Sequence, residues 1–195
     1  NEFIEAYFPL RIEKYEPIAD SGGAGLHRGG NGLSVAYRFL CDGMIGIHDE
    51  RWLTYPWGVN GGEPGQRSSK LLLRRDGSEQ WLPSKCDGIQ VSEGDVLYFN
   101  TWGGGGWGDP YARDADLVRQ DVERGLVSVD GALRYGVVIK DDGSVDSAAT
   151  DKRREELTAK RGEPPMFNFG GSIEDIKARC LQETHLPAPV SPGFQ

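Results

Sequence analysis

The stretch VLYFNTWGGGGWGDPY, Val96 to Tyr111, decides how the rest of the chain is read. Val96, Leu97, Tyr98, Phe99 and Thr101 favour a strand, because β-branched and aromatic side chains fit a pleated, half-buried surface. Four consecutive glycines follow, Gly103 to Gly106, bracketed by Trp102 and Trp107. Ordering a free glycine run costs much backbone entropy, and two flanking indoles offer enough apolar area to pin it. The expectation is that Trp102 and Trp107 are each largely buried and the glycines ordered, with Trp107→Ala costing about 3–5 kcal/mol. Asp109-Pro110 then marks a turn and keeps Asp109 out of helical backbone. Ahead of this stretch the pattern is strands and glycine turns; behind it the pattern is helical. That contrast predicts an α+β fold. Mainly antiparallel β-structure with glycine-rich loops occupies 1–111, a helical extension with one short strand 112–162, and a C-terminal helix with a proline-rich tail 163–195.

Working outward toward the N-terminus, Ile89 and Val91 lead into the central strand through Gly94-Asp95. Lys70–Arg74 and Gln80–Leu82 form a hairpin around Asp76-Gly77. Between Glu50 and Gln66 periodicity stops, and Arg51, Trp52, Tyr55, Trp57 and several glycines make a long aromatic loop, a length that is usually functional when it is not disordered. Leu33, Val35, Tyr37 and Phe39 alternate as a strand, with Met44–Ile47 expected as its return strand across the Asp42-Gly43 turn. Residues 20–32 are crowded with Gly22, Gly23, Gly25, Gly29, Gly30 and Gly32, which implies positive φ or close approach of another backbone or ligand. Residues 3–16 alternate like a strand with Phe8, Leu10 and Ile12 on one face, and Pro9 suits a strand start or sheet edge. Toward the C-terminus, Asp114 caps a helix stopped at Gly125, and Ser128 caps one ending near Tyr135-Gly136. Val137–Ile139 is a brief strand, 146–161 a charged helix, and Ser172 caps a last helix with Ile173, Ile176, Cys180 and Leu181 as its stripe. The final ten residues, with Pro187, Pro189 and Pro192, are expected to run over a surface.

Composition narrows the function classes. The chain has 195 residues, 28 glycines and a net charge of −8. That charge argues against non-specific nucleic-acid binding, which needs a basic face against phosphates. Cys41, Cys86 and Cys180 form neither CxxC nor an even framework, which favours a reducing, cytoplasmic compartment. No apolar run approaches the ~18 residues of a membrane span, and no signal peptide is visible. The chain opens Asn1-Glu2-Phe3 without methionine, so a cut, processed or partial polypeptide is expected.

Three catalytic patterns fail on context. Asp20-Ser21-Gly22-Gly23 imitates a serine-protease nucleophile segment, but no histidine precedes it. Gly103-x-Gly105-x-x-Gly108 matches the dinucleotide fingerprint, yet Asp109-Pro110 stands where a helix must receive the pyrophosphate. No P-loop is present. His48-Asp49-Glu50 offers metal-type ligands, but neighbours on a strand end point to opposite faces. No catalytic residue and no metal ligand is therefore assigned. The remaining polar and aromatic candidates for contact with a ligand or a subunit, or for bracing loops, are Asp20, Arg28, Arg51, Trp52, Trp57, Lys85 and Asp109. Trp52, Tyr55 and Trp57 in an irregular segment suggest that residues 51–65 are buried mainly by another polypeptide.

DSGGAGLHRGGNGL (20–33), PWGVNGGEPG (56–65), LPSK (82–85), EGD (93–95), WGGGGWGDP (102–110) and DVERGLVSVDGALRYGVV (121–138) occur in one order. Together, over residues 5–150, they resemble the C-terminal third of the hydantoinase B/oxoprolinase family, which includes subunits of ATP-dependent hydantoinases, caprolactamase and acetone- and acetophenone-type carboxylases. Trp102 and Trp107 lean toward the carboxylase-like branch. The resemblance implies a hydantoinase A-like partner that binds and spends ATP with Mg, and a divalent metal held by histidines and an aspartate of the family's N-terminal portion. Neither cofactor is expected in this chain. The implied assembly is a hetero-oligomer with that A-like subunit and the N-terminal hydantoinase B-like portion, acting on a cyclic amide or hydantoin or carboxylating a ketone. The rival reading is a non-catalytic β-module that scaffolds assembly; a stand-alone enzyme fares worst.

Overall fold

A computed structural model describes residues 2–190. The chain begins with α1 (Glu2–Tyr7), then β1 (Leu10–Pro17), β2 (Leu33–Phe39), β3 (Gly43–His48), β4 (Gly58–Val59), β5 (Ser69–Leu73), β6 (Glu79–Trp81), β7 (Lys85–Val91) and β8 (Val96–Asn100). After a 3-10 turn at Pro110–Ala112 come α2 (Ala115–Glu123), α3 (Val129–Ala132), a second 3-10 turn, α4 (Ser147–Arg161), β9 (Phe167–Asn168) and α5 (Ile173–Thr184). The α+β reading holds. A five-stranded antiparallel sheet runs β1-β2-β8-β5-β6, with β8 at its centre. A β3–β7 ribbon covers one face, and Phe39, Ile47, Leu72, Leu82, Val91 and Leu97 fill the space between. Asp95, buried at the entry to β8, accepts from the Ser92 and Arg75 amides and from Arg74. Burial alone would raise its pKa, but these donors hold it below the usual carboxylate range.

Three strand expectations are corrected. Residues 2–7 are helix, and the strand starts only after Pro9; Phe8 lies outside it and is exposed. β3 does not return along β2, because β1 and β8 already occupy both edges of β2; it pairs with β7 instead. Val137–Ile139 is not a strand. Ile139 makes one isolated bridge to Val145, and the Val138 amide donates to Thr150 Oγ1 of α4 (3.0 Å). The caps at Asp114, Ser128 and Ser172 and the left-handed glycines Gly125 and Gly136 stand where the residue types put them. In α5, Ile176 and Cys180 are buried but Ile173 and Leu181 are exposed, so the apolar stripe is narrower than expected. Pro187 and Pro189 follow α5 outside regular structure, whereas Pro192 lies outside the described residues.

The glycines are explained by close approach. Five extended passes, 21–25, 27–32, 56–59, 62–66 and 101–108, lie side by side, with 103–106 in the middle. Gly103 donates to Gln66 O, Gly104 to Gly30 O and Gly106 to Glu63 O, while Gly104 O and Gly106 O accept from Gly23 and Val59. A Cβ on Gly103 or Gly106 would run into pass 21–25, and one on Gly105 into the Trp57 carbonyl. Gly104 turns toward Gly30. Positions three apart thus meet the same neighbour, the geometry of an extended chain with three residues per turn and glycine wherever backbones crowd. Trp102 and Trp107 do not pin this run; they are 39% and 47% exposed. They sit at the rims of the crowded segment, where side chains project outward, so a loss of about 3–5 kcal/mol for Trp107→Ala does not carry over. Above the bundle, Val118, Val127, Ala132, Tyr135 and Val137 close a second core over Ala24.

Candidate functional site

Arginines tie this glycine bundle to its surroundings. Arg134 donates to Asp20 O (2.9 Å) and Gly22 O (3.3 Å) and pairs with Glu63 (2.8 Å). Arg113 donates to Leu26 O (2.9 Å) and, with Arg28, reaches Asp121. Each supplies several in-plane donors to carbonyls or carboxylates that the irregular passes leave without a ladder partner.

Two recesses open on either side of Tyr55, which is 7% exposed. The polar one, about 450 Å³, is lined by Asp20, Gln66, Arg67, Arg134, Arg179 and Glu183, among others. Arg67, 2% exposed, donates to Leu53 O (2.9 Å), Trp52 O and the Tyr55 hydroxyl. Tyr55 in turn donates to Glu183 (2.6 Å). Arg67 Nε lies 2.6 Å from Glu183 Oε2 without the alignment of a hydrogen bond. Burial pushes the Tyr55 phenol above its ordinary range against the pull of Arg67. Among the described residues nearly every charge here is matched inside the chain, and the one hydroxyl set against a carboxylate is that of Tyr55 on Glu183. Ser69 Oγ, on its wall, meets among the described residues only the Asn100 side-chain amide. The apolar recess, about 420 Å³, is walled by Tyr55, Trp57, Phe169, Ile173 and Ile176, with Arg51 beside them.

The structure disperses the seven sequence candidates. Asp20, at φ 62°, accepts from the Ser128 amide (2.9 Å) and fits against Gly131, bracing the start of α3 beside the polar recess. Arg28 braces Gly29 O, Asn31 and Asp121. Asp109 bonds the Tyr111 amide and pairs with Arg161, whose donors hold its carboxyl below the usual range. Lys85 is exposed, 3.6 Å from Glu50. Trp52 is 5% exposed with its Nε1 unpartnered among the described residues. Arg51 and Trp57 meet in the apolar recess. Contrary to the expectation for 51–65, Trp52 and Tyr55 are buried by this chain itself; Trp57 alone of the three stays 39% exposed. Arg67, Glu183, Arg134 and Arg179 escaped the sequence reading, since a lone arginine after a glycine loop and charges on a distant helix carry no local signal.

His48, Asp49 and Glu50 separate as their alternation requires: His48 faces Asp87, Glu50 faces Lys85, and Asp49 is buried against Lys70 and Ser68. Among the described residues no three or more His, Cys, Asp or Glu side chains converge as a metal site. No described helix is long and apolar enough to cross a membrane.

Sheet, glycine bundle and arginine braces define an α+β domain with a polar and an apolar recess on either side of Tyr55. The chain belongs to the hydantoinase B/oxoprolinase family, which matches residues 1–110. The beta subunit of the Pseudomonas jessenii caprolactamase is 39% identical over 161 residues, covering 78% of this chain and 27% of that one. The crystal structure of that ATP-dependent caprolactamase superposes with a TM-score of 0.65 at 32% identity, over 79% of this chain and 28% of that one. The B subunit of a putative D-/L-hydantoinase from Pseudomonas sp. (strain NS671) is 31% identical over 156 residues, 79% of this chain and 26% of that one. Nucleotide-free acetone carboxylase gives a TM-score of 0.67 over 82% of this chain and 26% of that one; at 23% identity it speaks for the fold alone. The chain thus spans 26–28% of the length of these relatives.

Proposed function

We propose that the chain is the C-terminal part of a hydantoinase B-like subunit in an ATP-dependent complex that opens a cyclic amide or hydantoin-type ring. The observation that carries this is the likeness, over more than three quarters of the chain, to two relatives named for caprolactam and hydantoin. In this reading a hydantoinase A-like partner binds ATP and Mg, and a divalent metal sits in the N-terminal hydantoinase B-like portion, so the complex is a cytoplasmic hetero-oligomer. This chain contributes a rigid wall. Its passes lock together backbone to backbone, and Arg28, Arg113 and Arg134 donate to acceptors within the chain.

The test is to purify the A-like subunit, the N-terminal B-like portion and this chain together. ATP hydrolysis should then be coupled to ring opening of caprolactam, hydantoin or 5-oxoproline. Turnover that requires a ketone and bicarbonate would overturn the hydrolase in favour of the carboxylase. A second reading, the non-catalytic scaffold, is favoured by the internal pairing of the polar recess. Under it, the coupled rate survives Arg134→Gln and Arg179→Gln so long as the complex stays assembled.

A further inference from the structure

The apolar recess holds a cation whose hydrogen-bonding capacity is unspent. Arg51 lies with its guanidinium carbon 4.5 Å above the centre of the Trp57 ring. Stacking uses the face of the guanidinium and leaves its in-plane N–H donors available. Among the described residues none of them meets a hydrogen-bond acceptor or a carboxylate. The acids nearby are committed elsewhere. Asp49 is held by Lys70 and Ser68, Glu50 by Lys85, Glu183 by Tyr55 and Arg67, and Asp175 by Ser172. The start of α5 borders the recess through Ile173, and its capping box ties up the Ser172 and Asp175 amides.

The walls are built to stay open around this group. Arg51 is a non-glycine residue at φ 55°, a strained backbone conformation held while its carbonyl accepts from the Ser68 amide (3.0 Å). Gly170 and Gly171, at φ 85° and 127°, turn the chain between β9 and α5. That turn sets Phe169 6.0 Å from Trp57, tilted by 55°, and carries Ile173 and Ile176 to the opposite side. The volume, about 420 Å³, lies in the ~300–1,000 Å³ range of small-molecule sites, which pair apolar walls with few polar groups.

We infer that this recess binds a small monocarboxylate carrying an apolar ring, its carboxylate on Arg51 and its ring between Trp57, Phe169 and Ile176. A guanidinium fork matches a carboxylate in two parallel hydrogen bonds, and the aromatic wall takes the hydrophobic body. The inference does not depend on which ring the complex opens, because the site draws on no reacting group. It also uses α5 and the preceding segment, which lie beyond the residues that the family matches.

The probe is 3-phenylpropanoate, titrated calorimetrically into the protein, alone and in the complex assembled above, with 3-phenylpropan-1-ol as the uncharged control. The carboxylate should bind saturably and at least about tenfold tighter than the alcohol, the factor carried by one charge-assisted hydrogen bond. Arg51→Gln should abolish that preference while leaving the alcohol unchanged. Phe169→Ala should weaken both ligands alike. Equal binding of carboxylate and alcohol to the unaltered protein, or no saturable binding of either, overturns the inference without recourse to a variant. So does full affinity in a folded Arg51→Gln protein.

Discussion

A Cβ on Gly103 or Gly105 would lie under 3.0 Å from a carbonyl oxygen of another pass, Ser21 or Trp57. Neither obstacle is a side chain that can swing away. Gly103→Ala and Gly105→Ala should each destabilise by more than about 4 kcal/mol, the tail that overpacking and strain populate. Gly30→Ala is the control: its Cβ meets nothing within 4 Å, so the same denaturant titration should place it within about 1 kcal/mol of the parent. Buried charge is the other residue-scale constraint. Lys70 is fully buried against Asp49. Burial pushes its ammonium down to about 8 against a smaller opposing pull from Cys86, while an adjacent carboxylate such as Asp49 favours the charged form. Lys70→Met leaves the Asp49 carboxylate uncompensated and should cost about 3–5 kcal/mol, whereas Lys70→Met with Asp49→Leu should recover most of it. A double mutant no more stable than the single one would show that the pair is not the source of the loss.

At the scale of elements, β1 is an edge strand held to β2 partly by charge. Glu13 lies 2.5 Å from Arg38 of β2 and 2.9 Å from Arg11 of its own strand. Hydrogen bonds from Arg38, then from Arg11, lower its pKa from 4.5 to about 2. The folded-state value is depressed, so the contribution is complete above about 4.5 and is lost as pH falls toward about 2. Glu13→Gln should lower the neutral plateau of the melting temperature slightly, the pair being largely exposed, and leave the value below about pH 2 unchanged, so that the acid limb is shallower in that window. For α5 the controlling group is Ser172, whose capping box with Asp175 satisfies both ends of the first turn. Ser172→Ala should cost about 1 kcal/mol, seen as a lower urea midpoint. It should also loosen the Tyr55–Glu183 contact that α5 carries into the polar recess.

For the molecule as a whole, distant segments are tied together through a region without regular secondary structure. The amides of Gly103, Gly104 and Gly106 are each bonded to a backbone carbonyl of a neighbouring pass. Hydrogen exchange at these three should be limited by global unfolding, while the exposed turn around Gly143 exchanges by local opening. Rapid exchange through Gly103–Gly106 would contradict the bundle. Much of this architecture was legible beforehand: helix caps, the β5–β6 hairpin and the central place of β8 follow from residue types a few positions apart, because propensity and capping are local. The glycine content likewise announced that backbones approach closely. What approaches what was not legible, since the crowding of Gly103 by Ser21 or of Gly105 by Trp57 joins residues far apart in sequence. The same holds for β3, sent to β7 by the occupied edges of β2, and for Trp102 and Trp107, turned outward at the rims of the run they bracket. Of the residues lining the two recesses the sequence marked Asp20, Arg51 and Trp57. Only the tertiary structure brought Phe169 and Ile176 to the latter two, and Glu183 to Arg67, because a side chain's partners across a hundred residues are set by packing and not by spacing.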